Sequence, residues 1–416
     1  MTAKLKDKIY RFLRNTQKYT GTDNVYLAKG GAWLFSGEAI TIGISILSGV
    51  AFANLLDPAI YGKYRYILSL AGWLSVFSLP GIESAVNQAT AKGLEGAFYA
   101  GFKTKLKWGV LGSLGALGFA AYYWIRGDYE IAIPLLIAAA FLPLMQASQI
   151  YGSFLTGRKL FNVEVKYTTL AQIISTTVSI LILFAANNIF WLAASYFISR
   201  TLLNYFFYLL TQFRFNPNKK GDKQTISFGK HLSIMKIVSV GAGYLTEILL
   251  FNLVGAQPLA IYYFAVNIPG MFKTLIEKVN ILAFPKFAAR TRQEIKSGMI
   301  AKLKKLYLVI GATIAFYVLS APHIFKFFFP QYLSSVPYSQ AYVFSLLSLP
   351  ANLIITAFTA HMMKRELYLQ QTIVPILGII LLAALIPFFG VWGVIGATLI
   401  NSAFGITFTL FLFRKF

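Results

Sequence analysis

The sequence predicts an all-α integral membrane protein: twelve transmembrane helices in two six-helix bundles. Three observations carry that reading. Of 416 residues, 57% are hydrophobic and only 12% are charged, about half the charged share of a soluble domain. Apolar runs of about 20 residues, enough to cross the hydrocarbon core as helix, recur from one end to the other. The cations are also segregated: 31 of the 38 Lys and Arg fall at the termini and in alternate connections, against four in the opposite set.

Residues 1–30 form a basic segment in which Leu5, Ile9, Phe12 and Leu13 share one helical face. That pattern suits an amphipathic helix on the inner leaflet, a frayed basic tail being the alternative. No cleavable signal is visible, so the first span is expected to act as its own insertion signal. Spans are expected at 31–54, 60–87, 104–125, 131–155, 167–187 and 189–213, then at 232–255, 259–284, 304–328, 336–360, 370–389 and 391–413. The first six make an N-terminal bundle (31–213) and the last six a C-terminal bundle (231–416), joined by a linker at 214–230. "EIKSGMIAKLKKLY" at 294–307 is a candidate second surface helix. The positive-inside rule places both termini in the cytoplasm. A formal charge of +24 confined to short loops fits anionic lipid surface and argues against nucleic acid.

The halves echo each other. "ANLLDPAIYGKYRY" (53–66) and "FNLVGAQPLAIYYF" (251–264) both close a span on Asn-Leu, turn at a proline and reopen on aromatics. Two copies of six spans share orientation, which implies a pseudo-two-fold axis along the membrane normal and a substrate site between the halves.

Catalytic chemistry finds little footing. The chain has no cysteine, which excludes thiol catalysis and disulfides. His231, His323 and His361 lie far apart, so no metal site or catalytic triad is expected. Gly109, Gly112, Gly115 and Gly118 sit inside a span and read as a close-packing stripe, not a phosphate loop. The opposite-set loops are too short for the large outer segment of a glycan polymerase or ligase.

Ionisable groups inside spans are costly unless they face a cavity or a partner. Arg200 lies near the middle of the sixth span, with Tyr196, Asn204 and Tyr208 at four-residue intervals along one helix face. It reads as a cavity cation or as a structural arginine paired with a buried acid or carbonyls. Lys273 and Glu277 are four apart on the eighth span and are able to pair; Lys278 adjoins them. Glu247 and Glu38 read as salt-bridge partners for a cavity cation, as interfacial groups or, with Glu277, as candidates for coupling to a proton or sodium gradient, while Glu83 sits near an interface. Lys63 and Arg65 open the second span and read as snorkelling anchors or as the mouth of a cationic path. Such a path wants an anion, and phosphate suits both cation types.

The stretch "LLDPAIYGKYRYILSLAGWLSVFSLPGIESAVNQATAKG" (55–93) resembles the opening signature of bacterial oligosaccharide flippases of the multidrug/oligosaccharidyl-lipid/polysaccharide exporter superfamily. The resemblance rests on Pro58, Tyr61, Gly62 and Tyr64, on Ser69-Leu70, and on the Gly81-to-Ala85 element. Family members often carry an arginine soon after that element; Asn87-Gln88 stand here instead. Twelve spans are also fewer than the lipid II flippase branch usually has. The resemblance implies export of an undecaprenyl-diphosphate-linked oligosaccharide from the inner to the outer leaflet of a bacterial plasma membrane, by alternating access. It implies no cofactor, and polysaccharide-assembly glycosyltransferases or a polymerase as candidate partners. A multidrug exporter of the same fold, a membrane-embedded polymerase or ligase, and a non-transporting envelope scaffold are the alternatives.

Overall fold

The computed structural model describes residues 24–186, 188–221, 223–288, 291–361 and 363–414, with side chains at 24–32, 34–35, 223, 235, 238–239, 276–286 and 288 excluded. The expected amphipathic N-terminal helix thus falls largely outside the described residues. Among the described residues, eight α-helices build the N-terminal half: α1 Asn24–Leu55, α2 Pro58–Leu74, α3 Gly81–Ala91, α4 Ala97–Ile125, α5 Tyr129–Ser148, α6 Ile150–Gly157, α7 Phe161–Ala185 and α8 Ile189–Phe215. The C-terminal half comprises α9 Lys223–Val254, α10 Ala256–Ala288, α11 Arg292–Phe328, α12 Val336–Tyr342, α13 Ala351–Ala360 and α14 Lys364–Phe413. No strand occurs among the described residues.

Among the described residues, six helical segments are long and apolar enough to cross a membrane, and a bent pair makes a seventh. The chain is a multi-pass membrane protein. Four further helices, α4, α8, α9 and α10, are 27 to 33 residues long, but aromatic hydroxyls, glycines and charges dilute their hydropathy. The cation-rich connections gather at one end of the molecule, termed the basic end; Asn54, Asp57, Gly127, Gly255 and Phe329 mark the opposite end.

Two elements depart from the sequence expectation. The span expected at 60–87 is bent by 51° between Ser78 and Gly81, where Leu79 takes a left-handed conformation (φ 59°) ahead of Pro80. The candidate surface helix at 294–307 is no separate element. A Thr291/Glu294 capping box starts α11, which then runs 37 residues without a break, about 55 Å at 1.5 Å per residue. Gly390 (φ 55°, ψ −125°) breaks residues 364–413 into two arms, where the expected spans 370–389 and 391–413 part. A Cβ on Gly393 would meet the Leu385 carbonyl oxygen at 2.3 Å, so the two arms fold back against each other there.

Proline accounts for several contacts between helices. A proline cannot donate to the carbonyl four residues earlier, and in a membrane that carbonyl needs another donor. Pro143 frees Ala139 O, which accepts from Ser113 Oγ at 2.6 Å. Ala265 O, freed by Pro269, accepts from Ser339 Oγ at 2.6 Å, and Val318 O, freed by Pro322, from Gln340 Nε2 at 2.8 Å. Three of the four glycines in the α4 stripe pack closely: Gly109 on Ser78 and Pro143, Gly112 on the Leu74 carbonyl, Gly115 on the Leu74 side chain. Gly118 has open space at its Cβ.

The halves meet at both ends. At the opposite end α2 crosses α10 so closely that a Cβ on Gly62 would lie 1.9 Å from Ala256 O. The Tyr66 and Phe251 rings stack at 3.9 Å nearby. The two echoed asparagines do matching work. Asn54 Nδ2 donates to Val50 O at 2.8 Å and across the halves to Phe328 O at 3.1 Å. Asn252 Nδ2 donates to Ile248 O at 2.8 Å, and its Oδ1 accepts from Tyr123 of the other half at 3.4 Å. At the basic end α3 lies on α9, where Gly81 N donates to Ser233 Oγ at 2.9 Å and a Cβ on Gly229 would meet Ile82 and Ala85.

Candidate functional site

Between the halves lies a cavity of about 190 Å³ with more polar than apolar lining. Helix α1 contributes Ser45 and Ser48, α2 contributes Tyr61, Tyr64 and Arg65, and α10 contributes Tyr263 and Asn267. From α7 come Gln172, Ser175, Thr176 and Ser179, and from α8 Tyr196 and Arg200. A second cavity of about 180 Å³ shares Arg65 and Tyr196 and is closed by Gln146 and Tyr244.

Arg65 is the pivot. Asp57 caps α2, its carboxylate accepting from Ala59 N at 2.8 Å, and Pro58 takes the first turn, where a missing N–H costs nothing. Arg65 follows two turns on. Its guanidinium donates to both carboxylate oxygens of Glu247 in the other half, at 3.0 and 3.1 Å. It also rests 3.8 Å from the centre of the Tyr263 ring. Ser69 Oγ donates to the same carboxylate. Both charged side chains are less than one-fifth exposed, and Arg65 Nε is buried without a protein partner.

Arg200 is held differently. Its Nη1 donates to the neutral amide oxygen of Gln172 at 2.8 Å. That contact orients the guanidinium over the cavity without neutralising it. Tyr196, one turn earlier, shares the cavity. Asn204 does not: it is buried, with Nδ2 donating to Met145 O at 3.4 Å, and Tyr208 stacks on Phe98 and Phe102. Four residues advance 40° past a full turn, so a four-residue stripe rotates off the cavity within two steps.

The remaining sequence candidates lie elsewhere. Lys63 is pinned to Glu130 (2.7 Å) and Asp128 (3.7 Å) of its own half at the opposite end. Lys273 is exposed on a separate cavity within the C-terminal half. Glu277 and Lys278 have side chains outside the described residues. Glu38, half-buried on α1, does not line the central cavities. Glu83 pairs with the fully buried Lys105. Among the described residues, no group of three or more metal-ligating side chains is able to hold an ion.

Sequence reasoning passed over Gln172, Ser175, Thr176 and Ser179. They recur at intervals of three, four and seven along α7, the spacing of a single helix face. It also missed Tyr263, although the half-chain echo aligns that residue with Arg65.

At the basic end, Arg158 donates to Glu95 through Nε (2.5 Å) and Nη2 (2.7 Å) and to Phe215 O (3.1 Å). Glu95 also accepts from Asn218 N at 2.9 Å, and Gly96 N donates to Lys220 O at 2.7 Å. The linker between the halves is thereby bound to the N-terminal half. Burial alone would raise the Glu95 pKa; the Arg158 hydrogen bonds and the Asn218 N–H overcome it and hold the carboxyl below its ordinary value.

Residues 27–289, well over half of the chain, match the family profile described as polysaccharide biosynthesis protein. Similar folds occur among solved structures. An inward-facing multidrug resistance transporter of the MATE family in the MOP superfamily aligns with a TM-score of 0.70 at 13% identity, over 90% of this chain and 95% of that one. The lipid II flippase MurJ, in an inward closed conformation, aligns with a TM-score of 0.64 at 14% identity, over 93% and 87%. A MOP-superfamily transporter from Pyrococcus furiosus, titled for the reverse polarity of its binding pocket, aligns with a TM-score of 0.58 at 14% identity, over 93% and 96%. No curated protein matches the chain.

Proposed function

The chain belongs to the polysaccharide biosynthesis protein family, and from that premise we propose that it flips an undecaprenyl-diphosphate-linked oligosaccharide across the bacterial plasma membrane. One observation carries the reading: Arg65 and Arg200 face a shared, largely polar cavity between the halves, and Arg200 has a neutral partner. A half-buried guanidinium left charged in this way is complementary to diphosphate, which it binds through paired charge-assisted hydrogen bonds.

The mechanism follows from the architecture. Taking α2 with α3, α5 with α6, Pro330 to Ala360, and each arm of α14 as single passes gives twelve, six in each half. The basic loops put both termini in the cytoplasm. A sugar diphosphate cannot cross about 30 Å of hydrocarbon unaided, whereas its prenyl chain is at home in lipid. The cavity between the halves shelters the head while the tail stays outside. Cavities of about 190 and 180 Å³ are smaller than the roughly 300–1,000 Å³ of ordinary ligand sites, so this conformation is closed and the halves must part to admit the head. Arriving diphosphate competes with Glu247 for Arg65 and so loosens a tie between the halves. That gives the ligand the differential affinity for the open state which any ligand-driven change requires. Glu247, released, is then the group through which a proton gradient would act. The protein moves its ligand without chemical change.

A multidrug exporter for organic cations would need an acidic cavity, and here two guanidiniums line it. The test is reconstitution with fluorescent lipid-linked oligosaccharide and a leaflet-accessibility assay. Charged hydrogen bonds contribute about 1.5–3 kcal/mol, so Arg200→Ala is expected to slow flipping roughly 10- to 100-fold. Flipping at the wild-type rate would overturn the assignment.

A further inference from the structure

A cavity larger than the central one lies within the C-terminal half. Between α9, α10 and the two arms of α14 lies a space of about 340 Å³ lined by Thr246, Lys273, Thr398, Asn401 and Ser402. Asn401 and Ser402 also line an adjoining cavity of about 180 Å³, together with Asn352 and Gln370. Asn401 Oδ1 and Gln370 Oε1 are buried without a protein partner. Two such acceptors inside a membrane-embedded half are costly unless something meets them. Thr398 Oγ1 donates to its own helix, to Val394 O at 2.8 Å, which leaves its lone pairs available.

We propose that this cavity is a second ligand subsite, taking the hydroxyl-rich sugar ring of the molecule whose diphosphate lies at Arg65 and Arg200; the inference rests on the flippase reading. The lining chemistry selects the ligand class. Side-chain amides offer a donor and an acceptor side by side, hydroxyls do both, and lysine adds a charged donor, which together match vicinal sugar hydroxyls. No carboxylate lines the space among the described residues, so it is not built for a metal ion. At about 340 Å³ it reaches the size range of small-ligand sites, which the central cavities do not.

Position supports the assignment. Helix α9 turns Tyr244 towards the cavity beside Arg65 and Glu247 towards Arg65 itself, while Ala242, Gly243 and Thr246 face this one. The two sites are therefore separated by one helix, about 10 Å across, a distance that a short oligosaccharide spans. The central cavity at Arg65 and Arg200 is lined mainly by the first, second, fifth and sixth passes, and this one by the seventh, eighth, eleventh and twelfth. These are the corresponding positions of the two halves.

Gly243 supplies the test, because a Cβ there meets nothing within 4 Å and Gly243→Leu fills the space without moving backbone. The full-length protein in nanodiscs is titrated with a prenyl diphosphate and with the same prenyl diphosphate carrying a trisaccharide. Gly243→Leu and Asn401→Leu are expected to weaken the sugar-bearing ligand at least tenfold and to leave the bare diphosphate within twofold. Arg200→Gln weakens both. If the leucine variants bind both ligands like wild type, or lose both equally while remaining monodisperse, the subsite is wrong and the flippase reading stands. If wild type binds neither ligand, the flippase reading fails and the subsite with it. Should Gly243→Leu not fold, Asn401→Leu alone decides.

Discussion

Glu247→Gln removes the charge that ties Arg65 to the other half while keeping an amide oxygen in its place. Breaking a fully buried ion pair on one side costs about 3–5 kcal/mol. Here the side chains are 19% and 17% exposed and border a polar cavity, and glutamine still accepts one hydrogen bond, so the loss reduces to about 1–2 kcal/mol. On the proposed mechanism it falls on the closed state, in which the pair bridges the halves. One to two kcal/mol is a factor of roughly 5–30 in the closed-to-open ratio. The chain has no cysteine, so single labels go on without background. Spin labels at Ile125 and Phe388, 85% and 82% exposed in different halves, report the separation at the opposite end by pulsed electron resonance. Glu247→Gln is expected to move population to longer distances by that factor. A distribution identical to wild type would refute the claim that this pair holds the halves together.

Further outcomes follow from the same geometry. Gly62→Ala places a methyl carbon against Ala256 O; overpacking of this kind costs about 1–3 kcal/mol, read as a lower Tm or as opening between the same two labels. Glu83→Gln removes the charge paired with the fully buried Lys105; because Glu83 is itself 38% exposed and glutamine still accepts a hydrogen bond, the loss expected in thermal unfolding is about 1–2 kcal/mol, below that of a fully buried pair, and an unchanged Tm would contradict it. Glu95 has a depressed pKa, so its stabilisation is complete above the ordinary carboxylate range and is lost as pH falls through the lower folded value. Wild type is therefore expected to lose Tm more steeply than Glu95→Gln between about pH 5 and pH 3, and parallel profiles would contradict it.

The sequence revealed some of this architecture and hid the rest for physical reasons. Hydrocarbon thickness imposes apolar runs of fixed length, so α5, α7 and the arms of α14 were legible directly. The bend at Leu79 was not, since a proline following an apolar run is compatible with a straight continuation or a kink. The surface helix at 294–307 was misread because amphipathic residues suit both a surface helix and the basic-end extension of a long α11. Arg200 stood out because a mid-span charge is rare, but its neighbour Asn204 shares the same spacing and turns into the core. The Arg65–Glu247 contact joins residues 182 apart in the chain, and helix periodicity does not encode which helix faces which. The echo of Asn54 in Asn252 was legible, and both residues reach across the halves.

The central claim is that a diphosphate sits between Arg65 and Arg200, and an experimental structure with lipid-linked oligosaccharide bound tests it most directly. The account predicts phosphate oxygens about 2.7–2.9 Å from both guanidiniums, with Arg65 detached from Glu247. Diphosphate density elsewhere, with Arg65 still on Glu247 and Arg200 still on Gln172, would contradict it.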